Sequence, residues 1–145
     1  MVNNESALDP FFLEPPAPRD QLLRFIKTNI TYDEIAHDIA CGWLKSSIAS
    51  LNKVVETILD VQYNSEKYTE QVCIGGHYVP AEEAAVLALQ ARWYDIELVL
   101  DKAAKLSKPL EDLPEYFLNT LCQSIGSLES YRFAAKQKAK RHKNN

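Results

Sequence analysis

The chain has 145 residues, 46% of them hydrophobic and 25% charged, which is ordinary for a folded domain and unlike a disordered chain. This length fits one domain, and no apolar run approaches the roughly 20 residues that a membrane-spanning helix needs. The three cysteines (Cys41, Cys73 and Cys122) are widely spaced and odd in number, which favours reduced thiols. We therefore expect a cytoplasmic protein that does not insert into membranes.

Charge is distributed unevenly along the chain, whose net charge is −4. The segment from 132 to 143 contains no acid and six bases, namely Arg132, Lys136, Lys138, Lys140, Arg141 and Lys143. Residues 1 to 131 therefore carry ten of the 16 bases and all 20 acids, a net charge of −10. The body is acidic and residues 136–145 form a basic C-terminal tail, a division that concerns partners rather than fold.

Residues 1–18 form the first predicted unit, an extended arm containing four prolines. Proline fixes φ and keeps the preceding residue out of the helical region. Phe11 and Phe12 would be unfavourable in water, so we expect the arm to dock on its own bundle or on a partner. A short helix from Asp20 to Lys27 then opens the predicted bundle domain, residues 19–135.

The second helix is predicted from Thr31 to Gln62. Thr31 and Glu34 have the spacing of a capping box, in which each side chain bonds the other residue's amide. Apolar residues then recur by threes and fours on one face. Gly42 and the pair Ser46-Ser47 are the expected positions of a kink or break.

A β-hairpin is predicted near residues 70–79. Gly75 and Gly76 lie between short β-favouring segments, a pattern typical of a two-residue hairpin turn. Since an isolated hairpin is marginally stable in water, it should pack on the helices or on another chain.

The third helix is predicted to run without a break from Pro80 to Leu106, and it has two apolar stripes. The first, expected to face the core, comprises Ala85, Val86, Leu89, Trp93, Ile96, Leu100, Ala103 and Ala104. The second comprises Leu87, Ala91, Tyr94 and Leu98 on roughly the opposite side. We expect this second stripe, together with Phe11 and Phe12, to bind a partner, either a second copy in a homodimer or another protein.

A last helix is predicted to restart at Pro114, with a buried face formed by Phe117, Leu118, Leu121, Cys122, Ile125 and Leu128. Beyond Tyr131 the apolar pattern ends, so we expect the helix to extend into solvent. Three interpretations of the basic tail remain open: a solvated helix end, a phosphate-binding segment, or docking on an acidic patch. The predicted fold class is all-α: an antiparallel helical bundle of three long helices and one short N-terminal helix, with a small β-hairpin inserted.

Residue spacing gives no complete catalytic or metal-binding motif. Glu34 and His37 have the Glu-x-x-His spacing of di-iron bundles, but no second Glu-x-x-His is present. Cys73 and His77 flank the glycine turn, yet two ligands are half of a zinc site. We therefore predict no cofactor, no metal and no enzymatic activity.

The favoured functional hypothesis is a small non-enzymatic cytosolic interaction protein, such as an adaptor, inhibitor or immunity-type regulator. Its acidic helical surface would bind a protein partner, and charge complementarity favours a basic one. The alternative hypothesis is a nucleic-acid-binding accessory protein that uses the six bases between Arg132 and Lys143. A body charge of −10 repels phosphate, which disfavours this alternative.

Overall fold

The computed structural model describes residues 18–107 and 114–143. In these ranges it has seven α-helices: α1 (Arg19–Asn29), α2 (Tyr32–Ala40), α3 (Ile48–Tyr63), α4 (Ala81–Leu89), α5 (Trp93–Ala103), α6 (Pro114–Ser124) and α7 (Leu128–Lys143). Between α3 and α4 lie a short 3-10 helix (Ser65–Tyr68) and the antiparallel strands β1 (Cys73–Ile74) and β2 (His77–Tyr78). The predicted helical fold with a small hairpin is confirmed. The predicted arm, with Phe11 and Phe12, lies outside the described residues except for Pro18.

Each long predicted helix is divided in two, and the first division falls where it was expected. Gly42 has a φ of 80°, in the left-handed region that ends helices, and the Ser47 hydroxyl caps α3 by accepting from the Ser50 amide at 3.1 Å. At the start of α2 the predicted capping box is wrong. Thr31 does precede the helix, but its backbone is left-handed and its hydroxyl donates to the Ile30 carbonyl instead.

The third predicted helix is divided between Leu89 and Trp93, so the prediction of a continuous helix is wrong. The Asn29 side-chain amide, from α1, donates at 3.0 Å to the carbonyls of Leu89 and Ala91. The Arg92 amide donates to the Asp95 carboxylate at 2.9 Å and so caps α5. A side chain distant in sequence therefore satisfies the backbone groups that the break leaves open.

The last predicted helix is divided at Gly126, whose φ is 75°. The Ser127 hydroxyl accepts from the Ser130 amide at 3.1 Å, at the start of α7. Because the chain changes direction here, Leu128 does not continue the buried face of α6 and is 63% exposed, contrary to the prediction.

The core surrounds α3, which touches α1, α2, α4, α5 and α6. Most residues of the predicted core face are buried, namely Ala85, Ile96, Leu100, Ala103, Phe117, Leu118, Leu121 and Cys122. Leu89, Trp93 and Ile125 are half-buried at its edge. Val86 is 44% exposed and Ala104 is exposed, so their predicted core positions are wrong; the break before α5 rotates the two halves of the stripe relative to each other.

The basic tail does not leave the bundle as expected. Ser130, Ala134 and Gln137 lie one turn apart along α7 and are all buried, and α7 packs on α5. The predicted boundary between bundle and tail, at residues 135 and 136, falls inside α7. None of the helices within residues 18–107 and 114–143 is long and apolar enough to cross a membrane.

Replacing Ile96 by alanine should lower the free energy of unfolding by roughly 2–5 kcal/mol, because Ile96 is fully buried and its truncation leaves a cavity. Urea unfolding followed by circular dichroism measures the change. Val86→Ala is the matched control and should change stability little. Equal destabilisation by the two variants would contradict this assignment of the core face.

Candidate functional site

The hairpin is built by its glycine turn. Gly75 and Gly76 have φ values of 61° and 84°, and positive φ at both central positions defines the type I′ turn that suits a two-residue hairpin. Cys73 pairs with Tyr78 and Ile74 with His77, while the Val79 amide donates to the Val72 carbonyl at 2.8 Å. The predicted position and turn of the hairpin are confirmed.

Helix α6 holds the hairpin in place through two side chains. The Cys73 amide donates to the Asn119 side-chain oxygen at 3.0 Å. The Gln123 side-chain amide donates to the Cys73 carbonyl at 2.9 Å. The outer edge of β1 is therefore occupied by α6, which fixes the orientation of the whole hairpin.

Exposed apolar and acidic side chains surround the hairpin. Tyr78 is 65% exposed and Ile74 is 36% exposed. The acidic residues, all exposed, are Glu66 and Glu70, just before β1, and Glu82 and Glu83 in the first turn of α4. The 3-10 helix that carries Glu66 packs on α4, which brings the two acidic pairs to one region. We call Glu70, Ile74, Tyr78, Glu82 and Glu83 the hairpin surface.

Asp60 anchors the segment that leads into the hairpin. It accepts hydrogen bonds from Asn64 at 2.8 Å, Lys67 at 3.0 Å and the Tyr68 hydroxyl at 2.7 Å. Burial opposes ionisation of Asp60, but these hydrogen bonds outweigh it and lower the pKa of the carboxyl to about 2. Lys67 therefore reaches back to α3 rather than towards the four glutamates.

A second polar site joins distant parts of the chain and consists of Asp38, Glu97, Gln137 and Arg141, which we call the Arg141 cluster. The Arg141 guanidinium donates to Asp38 at 2.6 Å and 3.1 Å and to Glu97 at 3.4 Å. The Gln137 side chain donates to the other Glu97 oxygen at 2.6 Å. The guanidinium also lies 4.2 Å from the ring centroid of Trp93.

The two carboxyl groups of the Arg141 cluster have opposite pKa shifts. Asp38 is 2% exposed and Glu97 is fully buried. Burial and the hydrogen bond to Asp38 raise the pKa of Glu97 to about 9, so Glu97 is protonated at neutral pH. Burial opposes ionisation of Asp38 as well, but hydrogen bonds from Glu97 and Arg141 hold its pKa below the usual value. One buried carboxylate and one half-buried guanidinium therefore face each other.

A cleft of about 280 Å³ lies beside the Arg141 cluster and is lined by Glu34, His37, Asp38, Trp43 and Arg141. The Cys41 sulfur is 3.6 Å from His37 Nδ1 and 3.7 Å from Nε2, within hydrogen-bond distance for sulfur. Glu34 accepts from Arg141 at 3.3 Å. In the described part of the chain, no three His, Cys, Asp or Glu residues are grouped to hold a metal.

The predicted partner-binding stripe is only partly at the surface. Ala91 and Leu98 are buried within the chain, whereas Leu87 and Tyr94 are half-buried. Tyr94 lies in a groove of about 380 Å³ whose lining includes Phe25, Ile125 and Tyr131. The four residues therefore do not form the expected continuous strip, and their partner role stays a prediction.

The predicted nucleic-acid-binding residues also separate into groups. Arg132, Lys136, Lys138 and Lys140 are exposed, whereas Arg141 is turned into its cluster. The side chain of Lys143 lies outside the described part of the structure. Arg132, Lys136 and Lys140 recur every four residues, which places them in one row along α7.

Comparisons with protein-family models, with curated protein sequences and with solved structures found no match. The functional interpretation therefore depends on the geometry of these surfaces and on their charge.

The Arg141 cluster was not predicted from the sequence, although one signal for it was present. Glu97 stands between Ile96 and Leu98 in a helix that is apolar on nearly all sides. A carboxyl in such a position is buried and needs a partner. Its partners, on α2 and α7, are distant in sequence, so their identity required the tertiary structure.

Replacing Arg141 by glutamine should lower the free energy of unfolding by about 3–5 kcal/mol, because it leaves the Asp38 carboxylate buried without a cation. Chemical denaturation measures this, with Lys138→Gln as the exposed control on the same helix. Adding Asp38→Asn to Arg141→Gln should recover much of the lost stability. Unchanged stability in Arg141→Gln would contradict a structural role for the cluster.

Glu97 should make the protein less stable as pH rises. Its pKa is raised from 4.5 to about 9 on folding, so between these values the unfolded chain is ionised while the folded one keeps its proton. The contribution of Glu97 to stability is therefore fully present below about pH 4.5 and is lost as the pH rises towards 9. Glu97→Gln should flatten this part of the profile, measured by urea unfolding from pH 5 to 9. Glu129→Gln, at an exposed position, is the control, and an unchanged slope in Glu97→Gln would contradict the assignment.

Proposed function

We propose that this protein is a non-enzymatic interaction protein that binds a basic protein partner through the hairpin surface. The observation that carries the proposal is the exposure of Tyr78 and Ile74, on a hairpin held by α6, beside the exposed Glu70, Glu82 and Glu83. None of these three glutamates forms an ion pair with a lysine or arginine of residues 18–107 or 114–143. An adaptor, inhibitor or immunity-type regulator would act in this way. A cytoplasmic location agrees with the reduced cysteines and is part of the same proposal.

The composition of the hairpin surface supports this function. Tyrosine is enriched where protein interfaces gain most of their binding energy, usually within a polar rim. Glu70, Glu82 and Glu83 would form such a rim around Tyr78. Exposed carboxylates also speed the approach of a basic partner and disfavour acidic ones. The bonds from Asn119 and Gln123 reduce the entropy lost on binding, because the hairpin is already ordered.

A second candidate function is nucleic-acid binding by α7. The observation that favours it is the exposed row of Arg132, Lys136 and Lys140 on a helix fixed against the bundle. Such a row would contact phosphate without reading base sequence. We rank it second because the body carries a net charge of −10 and Arg141 is engaged with Asp38 and Glu97.

Affinity capture with the tagged full chain tests the first function. The hairpin variant combines Tyr78→Ala, Glu82→Gln and Glu83→Gln. The control variant combines Asp20→Asn and Glu56→Gln, two exposed carboxylates on α1 and α3. We expect the unsubstituted chain and the control variant to capture the same protein from a lysate of cells that express the chain. The hairpin variant should not capture it, and high salt should release it.

Other outcomes would redirect or overturn the proposal. Recovery of the same proteins by the hairpin variant contradicts a role for this surface. If the unsubstituted chain captures nucleic acid and the double variant Arg132→Gln, Lys136→Gln does not, the result supports the second candidate function instead. A homodimer could form through the groove that contains Tyr94, and the solution mass of the Tyr131→Glu variant tests this. Tyr131 is the position substituted because it lines that groove and is exposed, whereas Leu98 is buried.

A further inference from the structure

We propose that the partner binds as an extended basic segment that adds a third strand to the open edge of β2 at Tyr78. This inference rests on the proposed function and names the binding mode and the chemistry of the partner. It follows from the register of the hairpin, from what covers its other edge, and from the charges beside it.

The register determines which backbone groups face outward. Residues opposite each other in an antiparallel pair alternate between bonding each other and pointing away from each other. Val79 bonds Val72, so Cys73 and Tyr78, the next pair towards the turn, point away from each other. The amide and carbonyl of Tyr78 therefore face out of the hairpin on the β2 side.

The two outer edges of the hairpin differ in what they meet. On the β1 side, Asn119 and Gln123 bond the amide and carbonyl of Cys73, as this register requires. On the β2 side, no hydrogen bond from residues 18–107 or 114–143 reaches the Tyr78 backbone. An open edge of this kind is a template for an added strand.

The open edge is short, which limits what it can bind. Pro80 has no amide hydrogen, and its carbonyl accepts from the Ala84 amide in α4. Gly76, on the other side of Tyr78, belongs to the turn. Tyr78 thus offers one donor and one acceptor to a neighbouring strand, enough to orient a segment, while its exposed ring and the glutamates supply further contacts.

Charge complementarity identifies the occupant as a basic segment. Glu82 and Glu83 lie in the first turn of α4, which begins three residues after β2, and are exposed, and the exposed Glu70 precedes β1. Lysine or arginine side chains of an added strand would lie beside these carboxylates.

The same charges argue against other occupants from this chain. Residues 1–18 contain three acids (Glu5, Asp9 and Glu14) and no lysine or arginine, so the hairpin surface repels that arm. The main run of bases in a second copy, Arg132 to Lys140, is helical rather than extended. The occupant is therefore a segment of a different protein.

A capped peptide of alternating lysine and valine is the probe, titrated into the full chain and followed by nuclear magnetic resonance. Binding should shift the Tyr78 amide signal and slow its hydrogen exchange. Tyr78→Pro and Tyr78→Ala both remove the aromatic ring. Only the proline variant also removes the outward-facing amide hydrogen, and it leaves the hydrogen bonds within the hairpin intact. The proline variant should bind about three- to tenfold more weakly than the alanine variant.

The outcomes separate the binding mode from the proposed function. Equal affinity of the two variants, with unchanged Tyr78 exchange, overturns strand addition. If strand addition fails in this way but the double variant Glu82→Gln, Glu83→Gln still binds the lysine peptide more weakly, the acidic surface remains the binding site for the basic partner. A matched peptide of glutamate and valine should not bind, and equal binding by it overturns the basic partner. Absence of lysine-peptide binding overturns this inference, whereas capture of a partner tests the function independently.

Discussion

The contact between Asp38 and Arg141 is the interaction on which the arrangement of the chain's two ends depends. It joins α2 to the last turn of α7, 103 residues apart in sequence. Burying a carboxylate and a guanidinium has a large desolvation cost, which is offset only if every charged atom is bonded. The neutral carboxyl of Glu97 meets that condition, since it bonds Asp38 on one side and accepts from Gln137 on the other. Helix α7 therefore packs in one register, and the basic tail becomes part of the bundle.

A related arrangement joins α5 to the start of α7. The Asp95 carboxylate accepts from the Arg92 amide, which caps α5, and from the Ser130 hydroxyl. Burial raises the pKa of Asp95, while these two donors oppose the shift. The buried Asp95 carboxylate thus caps the start of α5 and positions the start of α7. Asn29 bonds the carbonyls of Leu89 and Ala91 at the same break. Asp95 and Asn29 together explain why the chain can bend between α4 and α5 without leaving backbone groups unsatisfied.

Packing α7 against the bundle also separates the charges on the surface. In the described residues no lysine or arginine forms an ion pair with the acids near the hairpin, and Lys67 is bonded to Asp60 instead. Three exposed bases of α7, Arg132, Lys136 and Lys140, lie along one row on a different element. The charge imbalance within the chain thereby becomes two surfaces of opposite sign, which would attract different partners. The hairpin surface carries the stronger argument, because it also has an exposed aromatic ring and an open strand edge.

Local chemistry was sufficient to predict much of this fold. Glycine pairs and apolar periodicity determine backbone conformation within a few residues, so the hairpin turn, the break at Gly42 and the buried positions of Ile96, Leu121 and Cys122 were predictable. The acidic body and basic end were equally readable. Of the site, the hairpin was predicted as an element, although its exposed edge was not recognised.

Only the tertiary structure decided the rest, because it depends on groups that are distant in sequence. The break before α5 is stabilised by Asn29 from another helix, and it turns Val86 outward while Ala91 and Leu98 turn inward. Arg141 resembles its neighbouring lysines in sequence, and its partial burial follows from the positions of Asp38, Glu97 and Trp93. Only the tertiary structure shows that α6 bonds the outer edge of β1, whereas no residue of 18–107 or 114–143 bonds the Tyr78 backbone on the other edge. Periodicity describes which face of a helix is apolar, but it carries no information about which distant side chain will meet that face.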